Sequence, residues 1–177
     1  MKSTAVYAHL RTAFGPWFKS VGFKREKAFL SWTRPHGGAH VTVWFQISGD
    51  GWDDYAGSKF VVECQCSQET VVGKHALRRE RLASILSQQE REEAWVIQNR
   101  VISSLPQPPR SHPFLNATPE IGASCRRKFA LVSAPYDDKE DIWFRYHSTA
   151  NLATWVDFIS TKLPSLVNDV ETRGQTT

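Results

Sequence analysis

Cys64 and Cys66 stand two apart, and on a strand that spacing sends both thiols to one face. A zinc site needs four convergent ligands. Neither a Cys-x-x-Cys pair nor a His-Glu-x-x-His step supplies them here. Both cysteines alternate in phase with Phe60 and Val62 and read as small apolar core residues. His36 and His40 flank Gly37-Gly38 and read as surface turn residues. Carboxylates gather at Asp50, Asp53 and Asp54, and again at Asp137, Asp138, Glu140 and Asp141. Acid–base catalysis would need two of them fixed across a cleft. Aspartate also favours turns by bonding its own backbone, and that is the reading adopted. No phosphate-cradling glycine loop or nucleophile elbow occurs. No catalytic residue, metal ligand or cofactor is therefore assigned. An enzymatic alternative would have to assemble residues distant in sequence, such as His147 with Asp141.

The remaining chemistry is that of recognition. Basic clusters lie at Lys24-Arg25-Glu26-Lys27, Arg78-Arg79-Glu80-Arg81 and Arg126-Arg127-Lys128, and seven tryptophans are available to stack on bases. Glutamate interrupts two of the clusters, and no strand carries an RNA-binding aromatic signature, so nucleic acid is disfavoured as a partner. A better surface is the second face of the expected sheet. Trp44 lies out of phase with Val41, Val43, Phe45 and Ile47, among Thr42, Gln46 and Ser48, while Glu63 and Gln65 take the matching face of the next strand. Trp32 would join them if the first strand pairs in the right register. A large aromatic ringed by hydrogen-bonding side chains has the composition of a protein-binding hot spot. Trp44, Gln46, Glu63, Gln65 and Trp32 are accordingly the candidate partner-binding residues. The competing reading covers Trp44 with a helix or with the proline-rich loop.

These residues need a scaffold, and the hydrophobic period supplies one. Val6, Leu10, Phe14, Trp17 and Val21 recur at helical spacing, predicting a helix over 3–21 capped by Ser3 or Thr4 and interrupted at Gly15-Pro16. The period then becomes two. Val41–Ser48 and Phe60–Ser67 alternate as half-buried strands, and a less regular strand over Phe23–Thr33 joins them across Pro35-His36-Gly37-Gly38. Residues 75–105 have helical composition, as one long helix or two broken near Ser87-Gln88-Gln89, with Arg78 to Glu93 as a solvated face. Prolines 106, 108, 109, 113 and 119 make 106–120 an irregular loop. Strands follow at about 125–133 and 141–147, then a final helix over 149–171, bent by Pro164. The expected fold is α+β: an antiparallel sheet of about five strands, its core at 23–67 and 125–147, with helices packed on one face.

Composition agrees with that scaffold. The 177 residues carry 41% hydrophobic and 23% charged side chains, with a net charge of +4, within the range of one globular domain spanning 1–177. No apolar run reaches the 18 or so residues of a membrane helix, and the N-terminus lacks the order of a secretory signal. With three unpaired-looking cysteines, a cytoplasmic location is expected.

The order of motifs then becomes informative. Val21-Gly22-Phe23-Lys24-Arg25 follows the first helix, Trp44-Phe45-Gln46-Ile47-Ser48 lies in a strand, Cys125-Arg126-Arg127 opens another, and Asp141-Ile142-Trp143-Phe144 and Leu163-Pro164 follow. Across roughly residues 5–170 this resembles the bacterial domain of unknown function 4304 family, marked by Gly-Phe-Lys-Arg after its first helix. The chain departs from that pattern after Arg127, where Lys128-Phe129-Ala130 replaces an Ile-Gly step, and in the length of 75–105. The resemblance implies a compact α+β protein with no catalytic residue to carry over. Some members look like immunity proteins that bind and block a toxin. The implied role is a non-catalytic cytoplasmic binding module, its partner a protein, with a toxin domain as the leading candidate.

Overall fold

Val6, Leu10, Phe14 and Phe18 recur every four residues and form the buried line of α1 (Ser3–Ser20). Phe18 takes the place expected for Trp17, which is half-buried with Val21. The expected interruption does not occur: α1 runs through Pro16. Pro16 and Thr12 both lie on the exposed side, so the carbonyl that loses its donor is not buried. The N-cap is Lys2, without a side-chain cap, rather than Ser3 or Thr4. The computed structural model describes residues 1–27, 29–116, 118–126 and 129–174, without the side chains of 114 and 124–126.

The chain then turns into β1 (Lys24–Arg25), β2 (Leu30–His36), β3 (Ala39–Ile47) and β4 (Ser58–Ser67). Gly37 and Gly38 supply the positive φ angles of the β2–β3 hairpin, +55° and +82°. Val43 lies opposite Trp32 on one side and Cys64 on the other, while Trp44 lies between Ser31 and Glu63. Leu30, Trp32, Val41, Val43, Phe45, Phe60, Val62, Cys64 and Cys66 thus share the core face. β3 and β4 take the phase that the alternation predicts, whereas Trp32 lies on the face opposite to the one expected for it.

The region 75–105 differs from its helical expectation. Ala76–Arg81 forms β5, antiparallel to the 63–67 part of β4. A 3₁₀ turn (Leu82–Ile85) follows, and only then α2 (Gln88–Ser103). Helix propensity is overridden because β4 offers a free edge along 63–67, and pairing with it outweighs a preference of a few tenths of a kcal/mol per residue. Ser87 and Glu90 close α2 with a capping box. The expected strand at 125–133 is also corrected. Pro119–Arg126 is α3, residues 127 and 128 lie outside the described residues, and 129–133 carry no strand. Arg126 and Cys125 sit at the end of that helix, so the motif that was to open a strand closes a helix instead.

β6 (Phe144–Tyr146) pairs with the 58–60 part of β4, completing a six-stranded antiparallel sheet in the order β1-β2-β3-β4-β5, with β6 beside β5 on the outer edge of β4. Gly57 precedes this junction at φ +64°, where a Cβ would come within 2.2 Å of the Tyr146 carbonyl oxygen. No side chain fits there. The final helix is two: α4 (Thr149–Ser160) and α5 (Leu163–Gly174). Pro164 falls in the first turn of α5, where its missing donor costs nothing. The protein is α+β, as the alternation and helical periods predict. Helices α1, α4 and α5 carry the apolar faces that meet the core side of the sheet. Phe14 stacks on Phe45 at 4.9 Å, Phe18 on Trp32 at 4.3 Å, and Trp155 meets Phe144 at 4.9 Å.

Candidate functional site: a charged cleft beside a buried polar face

The predicted docking face is closed. Trp44 is 2% exposed, and Glu63 and Gln65 are fully buried. Trp32 lies on the opposite face, stacked on Phe18 within the core. Gln46 alone of the candidate residues is exposed. The patch expected from alternation is corrected for a physical reason. The chain after β4 folds back over its polar face and returns as β5. Gln65 donates from Nε2 to the Val71 carbonyl at 2.8 Å and accepts the Gly73 amide at 2.8 Å. Ser67 donates to the Glu69 carbonyl at 2.6 Å. Thr33 and Thr42 share a hydroxyl–hydroxyl bond at 2.9 Å. Gln65, Ser67, Thr33 and Thr42 can be buried here because each finds a hydrogen-bond partner.

Trp44 and Glu63 instead support a row of cations. The Arg79 guanidinium lies 5.2 Å over the Trp44 ring and donates from Nε to Glu63 Oε2 at 2.7 Å. Arg81 approaches the other oxygen, Glu63 Oε1, at 3.5 Å, pairs with Asp141, and sits 5.7 Å from the Trp143 ring. Lys59 covers that ring as well, at 5.2 Å. The inner ends of Arg79 and Arg81 are therefore fixed by a buried carboxylate and two indoles, while their side chains stay 43% and 37% exposed. Both border a cleft of about 550 Å³ whose other wall is the turn 138–141.

That turn is held from behind. Arg91, on α2, is 2% exposed and has no carboxylate partner among its hydrogen bonds. It donates to the carbonyls of Asp137 at 2.5 Å, Glu140 at 2.9 Å and Asp138 at 3.1 Å, and to those of Ala83 and Leu86. A buried guanidinium needs such a full set of acceptors. With the carbonyls turned inward, the side chains of Asp138 and Glu140 are exposed at the cleft rim. Arg91 was missed as a site residue because it reads as one more charge on a solvated helix.

The other sequence candidates are dispersed. Asp141 pairs with Arg81, whereas His147 stacks on Trp52 at 5.2 Å and contacts the Asp54 carbonyl at 3.0 Å, so the two do not meet. His36 lies 3.7 Å from Glu171 and His40 contacts the Gln68 carbonyl at 3.3 Å. Asp53 accepts the Tyr55 and Ala56 amides and approaches His112 Nε2 at 3.1 Å. This pins the proline-rich loop to the turn before β4. Asp50 lies 3.4 Å from Lys59, and Asp137 accepts the Lys139 amide, as turn aspartates do. Cys64 and Cys66 are buried free thiols. Burial, reinforced by Glu171, pushes both up, Cys64 well above the usual thiol range. Among the described residues no three potential ligands gather into a metal site, and no helix is long and apolar enough to cross a membrane. Arg127 and Lys128 of the third basic cluster lie outside the described residues.

Compared with protein-family models, curated proteins and solved structures, the chain finds no match in any of the three.

Proposed function

We infer that the protein is a non-catalytic binding module that docks a protein partner over the cleft between β5 and the 138–141 turn. The observation that carries this reading is the fixing of Arg79 and Arg81 by Glu63, Trp44 and Trp143. Immobilising long side chains is a large cost of association, and here it is met before any partner arrives. Arginine and aromatic residues are also those that interfaces concentrate. The narrower form of the reading is a cytoplasmic immunity protein that blocks a toxin domain. It is supported by the resemblance carried by Gly22-Phe23-Lys24-Arg25.

The test is co-expression with the product of the neighbouring reading frame, followed by size-exclusion chromatography and titration. A stoichiometric complex is expected. Asp138→Lys with Glu140→Lys should weaken it at least tenfold while leaving the melting temperature unchanged, because both side chains are exposed. No complex with the native chain would overturn the immunity form. A complex indifferent to the two substitutions would move the docking surface away from the cleft.

A further inference from the structure

At the far edge of the sheet from the cleft, the link between β1 and β2 presents a different surface. Phe29 is 65% exposed, the largest exposure among the described bulky apolar residues. Its backbone lies in the left-handed region, at φ +55°, a conformation that bulky side chains rarely adopt. Arg25 holds it there. Its guanidinium donates to the Phe29 carbonyl at 2.5 Å and to the Ser31 carbonyl at 3.0 Å, and it packs 5.5 Å from the Trp32 ring. The Glu26 amide bonds the Ser31 carbonyl at 3.0 Å, closing the link from the other side. An unfavourable backbone has thus been fixed so that an aromatic ring stands in water.

Among the chain neighbours of Phe29 the exposed charge has one dominant sign. Lys24, Arg25 and Lys27 are exposed, Arg11 on α1 is close enough for its charge to reach Arg25, and Glu26 is the opposing carboxylate. We propose that Phe29, with the exposed Lys24 and Lys27 near it in the chain, is a docking knob for an acidic protein segment, the ring entering an apolar pocket while the two lysines meet carboxylates beside it. This goes beyond the cleft reading, because β1 and β5 are opposite edges of the five-strand path. A protein partner fits better than the other anionic surfaces. Single-stranded nucleic acid is held by successive bases stacked on several aromatics, and here one ring is exposed while Trp32 is buried. Stable attachment to a bilayer takes more than one apolar anchor beside a few cations.

The backbone supplies a clean variant. Asparagine tolerates left-handed φ far better than phenylalanine does, so Phe29→Asn should leave the melting temperature unchanged or raise it while removing the knob. A random-peptide phage library panned on the full chain should enrich peptides that pair apolar residues with Asp and Glu. Their affinity should fall at least tenfold with Phe29→Asn, and Lys27→Glu should weaken them as well. Oligo(dT) and vesicles of equimolar phosphatidylcholine and phosphatidylserine serve as the competing probes. Peptides that bind Phe29→Asn as tightly as the native chain overturn the knob, and so does a panning that enriches nothing. Phe29-dependent binding to the oligonucleotide or the vesicles overturns it too, assigning the hairpin to that ligand instead. None of these results bears on the complex probed at Asp138 and Glu140, so the two readings fail separately.

Discussion

On one side of β3, Val41, Val43 and Phe45 meet the rings of α1 and the apolar residues of β2 and β4. On the other side, Thr42 and Trp44 meet Thr33, Glu63 and Arg79. Both sets are buried, yet the forces differ. The first gains by removing apolar area from water, about 25 cal/mol per Å², and tolerates any arrangement of similar volume. The second gains little from area and depends on matched donors and acceptors, each of which is expensive to orphan. Alternation along a strand therefore reports which side is greasy. It does not report which side is covered.

The sharpest way to break this comparison is to delete one large ring from each face. Phe45→Ala should destabilise the protein by roughly 3–5 kcal/mol in denaturant unfolding. A loss below about 1 kcal/mol would mean that the apolar phase is shifted by one residue. Trp44→Ala should cost roughly 3 kcal/mol, the lower end of the range for a large aromatic, because the Arg79 chain can settle into part of the space. An unchanged melting temperature would show that the polar face is open to solvent.

Gln65→Leu keeps the volume but strips the Val71 carbonyl and the Gly73 amide of their partners. About 1–3 kcal/mol should be lost, whereas the same exchange on a merely solvated face would be neutral. The smallest effect at neutral pH lies outside the sheet. Burial raises Tyr136 to about 12, with Glu140 nearby adding to it and Arg145 opposing it. The folded state then keeps a proton that the unfolded chain releases near pH 10. Stability from this group is complete below pH 10 and is lost as pH rises toward 12. Tyrosinate absorbance during an alkaline titration should therefore show a late component, absent in Tyr136→Phe.

How much could be read beforehand follows from the same division. The core strands, their phase, the Gly37-Gly38 hairpin and the α+β class were legible because apolar period and positive-φ glycines are local signals. β5 was not, since Ala76–Arg81 has helical composition and its strand conformation is imposed by the free edge of β4. Misreading it also opened the polar face, because the missing strand and its preceding loop are what bury Gln65 and Trp44. The cleft arginines were visible only as a charge run. Their partner Glu63 lies 16 residues before Arg79, and no short window connects them. Phe29 carried no signal at all, as its meaning lies in a φ angle.

The outer edge of β4 is divided between two short strands laid end to end, β5 along 63–67 and β6 along 58–60. β6 is gripped on its far side: Gln98 of α2 bonds the Trp143 carbonyl and the Arg145 amide, and Trp155 bonds the Arg145 carbonyl at 2.6 Å. β5 pairs with no further strand among the described residues, and Leu77 on it is exposed. The seam between them lets the edge open in two steps of unequal free energy, the way cooperative units separate in native-state hydrogen exchange. Amides of β6 should then exchange only with the core, and those of β5 earlier. The strand that carries Arg79 and Arg81 is thus the more easily released of the two, so a ligand gripping those arginines would slow its opening and be detectable as local protection confined to 76–81.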